Sequence, residues 1–190
     1  HEVRALVRPS APRVLLEGLP VSYAAGDLTD AASVGRAVRG CDAVIHCAAD
    51  YRIWVPDPEA MRAVNVEGTR AVMRAALAED CPRVVHVSSV ATLKPRSDGL
   101  PATEADAASP EEAIGPYKQS KTEAERLVED MAAKSGLRAV IVNPSTPVGP
   151  RDIRPTPTGR VILEAARGKM PGYVDTGLNI VHVDDVARSC

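Results

Sequence analysis

The chain alternates between short continuous apolar runs and longer stretches in which apolar residues recur at helical spacing. The apolar runs are mostly β-branched and end at turn-forming residues, which is typical of buried strands. The predicted strands cover residues 3–7, 21–25, 43–46, 83–87, 137–142 and 179–183. The amphipathic stretches predict helices over residues 30–40, 59–79, 117–134 and 162–167, with a last helix capped by Asp184. Strands buried on both faces and joined by helices indicate one α/β domain over residues 1–190, built on a doubly wound parallel sheet.

Small or polar residues follow several of these predicted strands. Asp27 follows the second strand, Ala48 and Ala49 follow the third, and Ser88 and Ser89 follow the fourth. Doubly wound sheets bind ligands beyond the carboxyl ends of their strands, so these positions are candidates for a site. A lone aspartate here is more often a turn residue, and small residues are common in such turns. Each position is therefore informative only together with the others.

Tyr117 and Lys121 open a predicted helix four residues apart. Positions i and i+4 lie on one helix face, so the ammonium can lie near the phenol. A nearby cation stabilises the phenolate and lowers the pKa of a tyrosine, which makes it a better acid–base group. A serine hydroxyl such as that of Ser89 can hold a substrate oxygen beside it. The arrangement fits hydride transfer, and the alternative is an ordinary surface pair on a helix.

Composition excludes several classes of function. The chain has 190 residues, 23 Lys and Arg, 25 Asp and Glu and a formal net charge of −2, so a nucleic-acid partner is not expected. No apolar run reaches the length of a membrane span, and the opening residues show no signal-peptide pattern, which predicts a cytoplasmic protein. The four cysteines are widely separated and predict neither a metal site nor a redox dithiol.

Taken in order, these segments resemble the extended short-chain dehydrogenases/reductases, the NAD(P)-dependent epimerase/dehydratase group. The resemblance is carried by GDLTD, HCAADYRIW, NVEGTRAV, VVHVSSVATL, PYKQSK, VIVNPSTPVGPRD and VHVDDVAR. Within the group, DYRIWVPDP and NPSTPVGPRDIRPTPTGR are most similar to the hopanoid-associated sugar epimerases and to dihydroflavonol 4-reductases. The resemblance implies a Rossmann-type fold that binds a nicotinamide cofactor.

The same resemblance implies roles for individual residues. Tyr117 would be the general acid–base, and Lys121 would lower its pKa and bind the nicotinamide ribose. Ser89 would be the catalytic serine with Ser88 as its neighbour, and Asn65 would support the site. The implied cofactor contacts are Asp27 and Leu28 at the adenine, Ala48 and Ala49 at the ribose and pyrophosphate, and Pro144 and Ser145 against the nicotinamide, with Ser88 as a further contact. His182 and Asp184 are interpreted as a strand-end histidine and a helix cap.

The chain departs from the family pattern at both ends. The family opens with a strand and a GxxGxxG loop and ends with a C-terminal substrate lobe, and none of these is found within the 190 residues. In the strand order 3-2-1-4-5-6, the missing strand leaves a gap in the middle of the sheet. We therefore expect an internal fragment of a longer protein, whose pyrophosphate contacts are incomplete.

The end of the first predicted strand bears on the choice of cofactor. Members specific for NAD place an acidic residue there, whereas this chain has Arg8, Pro9 and Ser10. Arginine suits a 2′-phosphate, so Arg8 and Ser10 favour NADP(H), with NAD(H) as the alternative. The competing interpretation is a solvated arginine at a strand exit.

Two classes of function follow from these expectations. The first is an enzyme, either an epimerase of a nucleotide-linked sugar or a dihydroflavonol-type carbonyl reductase, with Tyr51, Arg151 and Arg154 as candidate substrate contacts. The second is a non-catalytic dinucleotide sensor, which the intact Ser, Tyr and Lys set argues against. The sequence leaves the oligomeric state open. The partners are a small-molecule substrate and, as the resemblance implies, a second copy joined through the helices over residues 59–79 and 117–134.

Overall fold

The computed structural model describes residues 1–153 and 155–190. Its strands are β1 (Val3–Val7), β2 (Val21–Ala25), β3 (Val44–His46), β4 (Val84–Val87), β5 (Ala139–Val142), β6 (Thr146–Val148) and β7 (Ile180–His182). Its α-helices are α1 (Ala31–Val38), α2 (Pro58–Arg62), α3 (Gly68–Ala78), α4 (Pro116–Ser135), α5 (Pro157–Ala166) and α6 (Val183–Ser189). A π-helical segment (Ala63–Glu67) joins α2 to α3, and a 3₁₀ turn (Val90–Thr92) follows β4. All six predicted strands and their connecting helices are found, while β6 is additional.

The named strands pair in parallel, which confirms the predicted Rossmann-like class. They form three groups, β1 with β2, then β3, β4 and β5 in that order, and β6 with β7. Within the described residues β1 pairs only with β2, and β3 pairs only with β4. The predicted opening in the middle of the sheet therefore lies between these two groups.

The core lies where α1, α3 and α4 pack on one face of the strands. Its buried residues are Val34, Val38, Val72, Met73, Ala76, Cys81, Val84, Val128, Met131 and Leu137. On β3 and β4 burial follows the two-residue period, so Ile45 is 58% exposed while its neighbour His46 is buried. Helices thus cover β3, β4 and β5 on one side.

The helix ends follow ordinary capping chemistry, with one correction. Asp30 caps α1 by accepting from Ala32 N, as predicted. Gly136 closes α4 at φ +71°, in the left-handed region that glycine adopts freely. The prediction that Asp184 caps the last helix is wrong, because Asp184 lies inside the first turn of α6 and His182 is the cap. His182 Nδ1 accepts from Asp184 N at 3.2 Å.

The predicted helix over residues 59–79 is interrupted. Asp57 caps α2, and after Arg62 the backbone widens into the π-helical segment before α3 begins at Gly68. A π segment inserts one extra residue into a helix and is frequently found at functional sites. Asn65 lies in the middle of it. Across the described ranges, every helix is too short or too polar to cross a membrane.

Candidate functional site

The site is built where the carboxyl end of β4 meets the first turns of α4. Ser88 and Ser89 follow β4 directly, and α4 brings Tyr117 and Lys121 to the same place. Lys121 is only 4% exposed, and its Nζ donates to the Val87 carbonyl at 2.9 Å. Burial lowers the pKa of Lys121 to about 8, although Glu125 and Cys47 oppose that shift. The ammonium is thus fixed to the strand end that carries the two serines.

The Tyr117 phenol lies beside the Ser89 hydroxyl. Burial raises the pKa of Tyr117, and its hydrogen bond with Ser89 partly offsets that rise. The sequence predicts a Tyr117 pKa lowered by Lys121, whereas in the structure burial dominates at the phenol and the pKa is raised. The structure nevertheless brings Ser89, Tyr117 and Lys121 together at one strand end.

Asn65 connects the loop after β3 to the helix that carries Tyr117. Its Oδ1 accepts from Asp50 N at 2.7 Å, and its Nδ2 donates to Asp50 O and to Ser120 Oγ, each at 2.9 Å. Ser120 Oγ in turn donates to the Tyr117 carbonyl at 2.9 Å. Asn65 is buried, so these bonds form away from solvent. Its expected supporting role therefore has a geometric basis in the π-helical segment.

Ser88, directly before Ser89, is buried. Its hydroxyl donates to Glu125 in a short hydrogen bond, and its backbone N–H donates to the Val142 carbonyl at 2.8 Å. The cofactor contact of Ser88 stays a prediction. Because both of its donors are used inside the protein, its oxygen atoms are left to accept hydrogen bonds from a cofactor.

The candidate adenine contacts lie at the ends of β1 and β2. Asp27 Oδ1 accepts from Thr29 N at 2.9 Å and from Thr29 Oγ1 at 2.7 Å, so the carboxylate forms the turn that was its competing interpretation. These hydrogen bonds lower the pKa of Asp27, and nearby Arg8 lowers it further. Leu28 packs on Gly68, where an added Cβ would come within 2.9 Å of the Leu28 side chain. Arg8 and Ser10 are exposed beyond the end of β1.

The remaining predicted contacts lie on the connecting loops. Ala48 and Ala49 follow β3, Ala48 being exposed. Pro144 O accepts from Val90 N at 3.1 Å, which ties the end of β5 to the turn that follows Ser89, and Ser145 precedes β6. Tyr51 and Arg151 are exposed, Arg151 with a positive φ of 68°. Arg154 lies outside the described residues.

Two buried histidines beneath the site were not singled out by the sequence. His46 on β3 and His86 on β4 are register partners whose ring centroids lie 5.4 Å apart. Thr69 Oγ1 gives its only proton to Asn65 O at 2.6 Å, so His46 Nε2 must donate to Thr69, at 2.9 Å. Burial, with a smaller contribution from Lys121, lowers the pKa of His46 to about 4 and that of His86 to about 2. Both rings are therefore neutral near neutral pH.

Glu125 was also missed. It is buried one helical turn after Lys121 and accepts a hydrogen bond from the Ser88 hydroxyl. The i, i+4 spacing from Lys121 could have pointed to it, because that spacing places both on one face of α4. In the described chain, no group of three or more His, Cys, Asp or Glu side chains is arranged to hold a metal ion.

Comparison with models of known protein families shows to which family the chain belongs. The model of the NAD dependent epimerase/dehydratase family matches residues 1–190. The chain belongs to the NAD-dependent epimerase/dehydratase family. The expected family is thus confirmed, and this family's dinucleotide-binding fold accounts for the parallel strands and for the position of the site at their carboxyl ends.

Individual relatives of this epimerase/dehydratase chain are similar over almost its whole length. A Synechocystis sp. protein provisionally named a dihydroflavonol 4-reductase is 46% identical over 98% of the chain and 54% of its own length. The crystal structure of gox2253 superposes with a TM-score of 0.94 at 53% identity, covering 99% of this chain and 57% of that one. DesIV, a dTDP-glucose 4,6-dehydratase from Streptomyces venezuelae with NAD bound, superposes with a TM-score of 0.82 at 25% identity, covering 98% and 60%. The chain thus spans little more than half the length of each of these relatives.

Proposed function

We propose that the protein containing this chain is an NAD(P)-dependent oxidoreductase or epimerase that acts by hydride transfer, with Tyr117 as its general acid–base. The observation that carries this proposal is the meeting of Ser89, Tyr117 and a buried Lys121 at the carboxyl end of β4. A phenol, a hydroxyl and an ammonium at one point provide a proton, a hydrogen bond and a positive charge for a reacting alcohol or carbonyl.

Each of the three residues has a distinct task. The Tyr117 hydroxyl gives its proton to the substrate oxygen as a carbonyl is reduced, and the Tyr117 phenolate takes the proton of the hydroxyl group as an alcohol is oxidised. Ser89 hydrogen-bonds that oxygen and holds it beside the phenol. A bound nicotinamide supplies or accepts the hydride. Lys121 uses one of its three N–H donors on Val87 O, so its other donors can bind ribose hydroxyls and stabilise negative charge on Tyr117.

The residues present fit a nicotinamide dinucleotide at both its adenine end and its nicotinamide end. Arg8 and Asp27 lie at neighbouring strand ends, where an adenine nucleoside would lie, and Lys121 serves the nicotinamide end. The sequence holds no GxxGxxG loop for the pyrophosphate, so Ala48 and Ala49 are the candidates on that side. We propose NADP(H) over NAD(H), because the exposed Arg8 guanidinium can pair with a 2′-phosphate and no acidic residue stands beside it on β1.

For the substrate, we propose a nucleotide-linked sugar, with hopanoid biosynthesis as its setting. The match to the epimerase/dehydratase family supports this choice, and the exposed Arg151 could pair with a diphosphate. Tyr51 and Arg154 complete the proposed substrate contacts.

A second candidate is reduction of an apolar ketone by NADPH. It is favoured by the 46% identity to the Synechocystis relative named as a dihydroflavonol 4-reductase. The loop after β3 also exposes apolar side chains, among them Ile53 and Trp54, the latter 77% exposed. These exposed apolar side chains lie on a loop that is tethered to the site through Asn65, and they suit an apolar substrate better than a sugar.

The test uses the intact protein that contains this chain, with Tyr117→Phe as its control. An epimerase should interconvert sugar-nucleotide epimers with no net consumption of NADPH, because the hydride is returned. A reductase should instead consume NADPH stoichiometrically with an uncharged ketone. Tight cofactor binding without turnover of either substrate class would point to a dinucleotide sensor and overturn the enzymatic proposal.

We further propose a cytoplasmic homodimer whose subunits meet through the outer faces of the helices over residues 59–79 and 117–134. In one chain these helices already pack side by side, and Arg62 pairs with Glu123 between them. Sedimentation of the intact protein at twice the monomer mass would support the dimer, and a monomer at micromolar concentration would refute it.

A further inference from the structure

Glu125 is a buried carboxylate with several hydrogen-bond donors gathered around it. The residue is only 3% exposed. Its Oε2 accepts from Ser88 Oγ, from Thr92 Oγ1 at 2.9 Å and from Asn143 Nδ2 at 2.7 Å, while Oε1 pairs with Arg126. A buried carboxylate is costly unless its oxygens are fully hydrogen-bonded, and here they are. The carboxylate therefore joins the end of β4, the 3₁₀ turn and the end of β5.

The three donors surround Ser89 on both sides. Ser88 precedes it, and Thr92 shares its hydroxyl proton between Glu125 and the Ser89 carbonyl, 2.8 Å away. Asn143 Nδ2 also donates to the Ser89 carbonyl at 3.2 Å. The Ser89 hydroxyl itself caps the turn by accepting from Ala91 N at 3.1 Å. The backbone that carries Ser89 is thus fixed by groups that converge on one carboxylate.

The same carboxylate supplies negative charge to the site. Lys121 lies one turn earlier on α4, and Glu125 favours its charged form against burial. The other titratable groups around Lys121 are His46 and Cys47 from the β3 side and His86 from β4. The two histidines are neutral, so Glu125 is the acidic side chain that opposes the effect of burial on Lys121.

We infer that Glu125 is a positioning residue, which holds Ser89 in place beside Tyr117 and balances the charge of Lys121. This inference rests on the proposed function, since it assigns Glu125 a part in the same hydride-transfer site. Glu125 touches neither the phenol nor the place of the substrate, and it acts through Ser88, Thr92 and Asn143.

The experiment compares Glu125→Gln with Glu129→Gln in the intact protein. Both glutamates pair with Arg126, but Glu129 is exposed and has no part in the cluster around Ser89, so it controls for loss of the ion pair. The glutamine keeps the shape of Glu125, loses its charge and turns an N–H group toward Arg126. Because displacements of about 1 Å can cost roughly 100-fold in rate, we expect kcat to fall roughly 10- to 100-fold in Glu125→Gln. Glu129→Gln should stay within about 2-fold of wild type, because exposed ion pairs contribute little.

Two readouts separate positioning from loss of stability. If Glu125 acts through Ser89, then Glu125→Gln should cost much less in a Ser89→Ala background than alone, a non-additivity that a global loss of stability does not produce. The alkaline limit of kcat, measured in the direction in which Tyr117 donates its proton, should move to lower pH in Glu125→Gln and not in Glu129→Gln. Losing the carboxylate makes both Lys121 and Tyr117 easier to deprotonate, so the two effects share one sign.

Several results would overturn the inference. Additive effects of Glu125→Gln and Ser89→Ala, or an equal loss in Glu129→Gln, would show that Glu125 has no specific link to Ser89. Should Glu125→Gln not fold, Thr92→Val removes one donor while keeping its shape, and its cycle with Ser89→Ala must show the same non-additivity. If the wild type is active but the effects of Glu125→Gln and Ser89→Ala add up, only the Glu125 inference is refuted. If the wild type is inactive, both the proposed function and this inference are refuted.

Discussion

Replacing His86 with leucine should make the protein more stable, above all in mild acid. His86 is 1% exposed, and within the described residues no protein group hydrogen-bonds either of its ring nitrogens. A buried polar group without a partner costs about 1–3 kcal/mol, and an apolar side chain of similar volume avoids that cost. We therefore expect His86→Leu to raise the free energy of unfolding at pH 7.5 by about 1–2 kcal/mol.

The pH dependence gives a second magnitude. The pKa of His86 is lowered by burial from about 6.5 to about 2 in the folded protein. The unfolded chain therefore takes up a proton below pH 6.5 that the folded chain refuses, and stability is lost as the pH falls from 6.5 toward 2. At 1.36 kcal/mol for each pH unit, His86 alone costs about 2 kcal/mol by pH 5. His86→Leu should remove this loss.

The assay is urea unfolding of the intact protein at pH 7.5 and pH 5, for wild type, His86→Leu and His46→Leu. His46→Leu is the matched comparison, because it removes the neighbouring buried imidazole but also breaks the hydrogen bond to Thr69. His46→Leu should remove the part of the stability loss at pH 5 that comes from His46, while the free energy of unfolding at pH 7.5 should rise little or not at all. If His86→Leu lost as much stability as wild type between the two pH values, the argument from burial would be wrong.

Further predictions concern the proposed chemistry. Tyr117→Phe should reduce kcat by at least about 100-fold and leave cofactor affinity by titration within about 3-fold, and near-normal turnover would exclude the acid–base role. Lys121→Met should lower both the affinity for the cofactor and kcat, and an unchanged cofactor affinity would contradict the proposed ribose contact. Arg8→Ala should lower the preference for NADPH over NADH roughly 10- to 150-fold, and equal affinities in wild type would refute the 2′-phosphate contact. Asn65→Leu should lower thermal stability by several degrees and kcat by more than 10-fold, since it releases Asp50 and Ser120 together, and a variant indistinguishable from wild type would oppose this.

The fold was predictable wherever hydrophobic pattern and turn residues agreed. The strand at Val3–Val7 and the helix closed by Gly136 follow directly from such local signals. Strand β6 was missed because Thr146–Val148 is three residues long and contains a proline, and a short segment with proline is typical of a loop. The cap of the last helix was misplaced because aspartate is favoured both as a cap and in the first turn, and histidine is a rare cap.

The candidate site divides in the same way. Ser89, Tyr117 and Lys121 could be predicted because strand ends and i, i+4 spacing place them without knowledge of the packing. Glu125 could not, since a glutamate on a helix normally faces solvent and its burial depends on donors from three separate segments. His86 was hidden for the same reason, because a histidine in an apolar strand gives no sign of whether tertiary contacts will satisfy it.

The extra residue in the π-helical segment gives one continuous helical rod two faces that are out of phase. One residue corresponds to about 100° of rotation. The side chains of α3 are therefore rotated by that angle about the helix axis, compared with a regular helix continued from α2. On the α2 side, Arg62 points to Glu123 on α4, whereas on the α3 side Val72 and Met73 enter the core. A regular helix would have to misalign one of these surfaces. The insertion thus lets a single element both anchor the core and deliver Asn65 to the site.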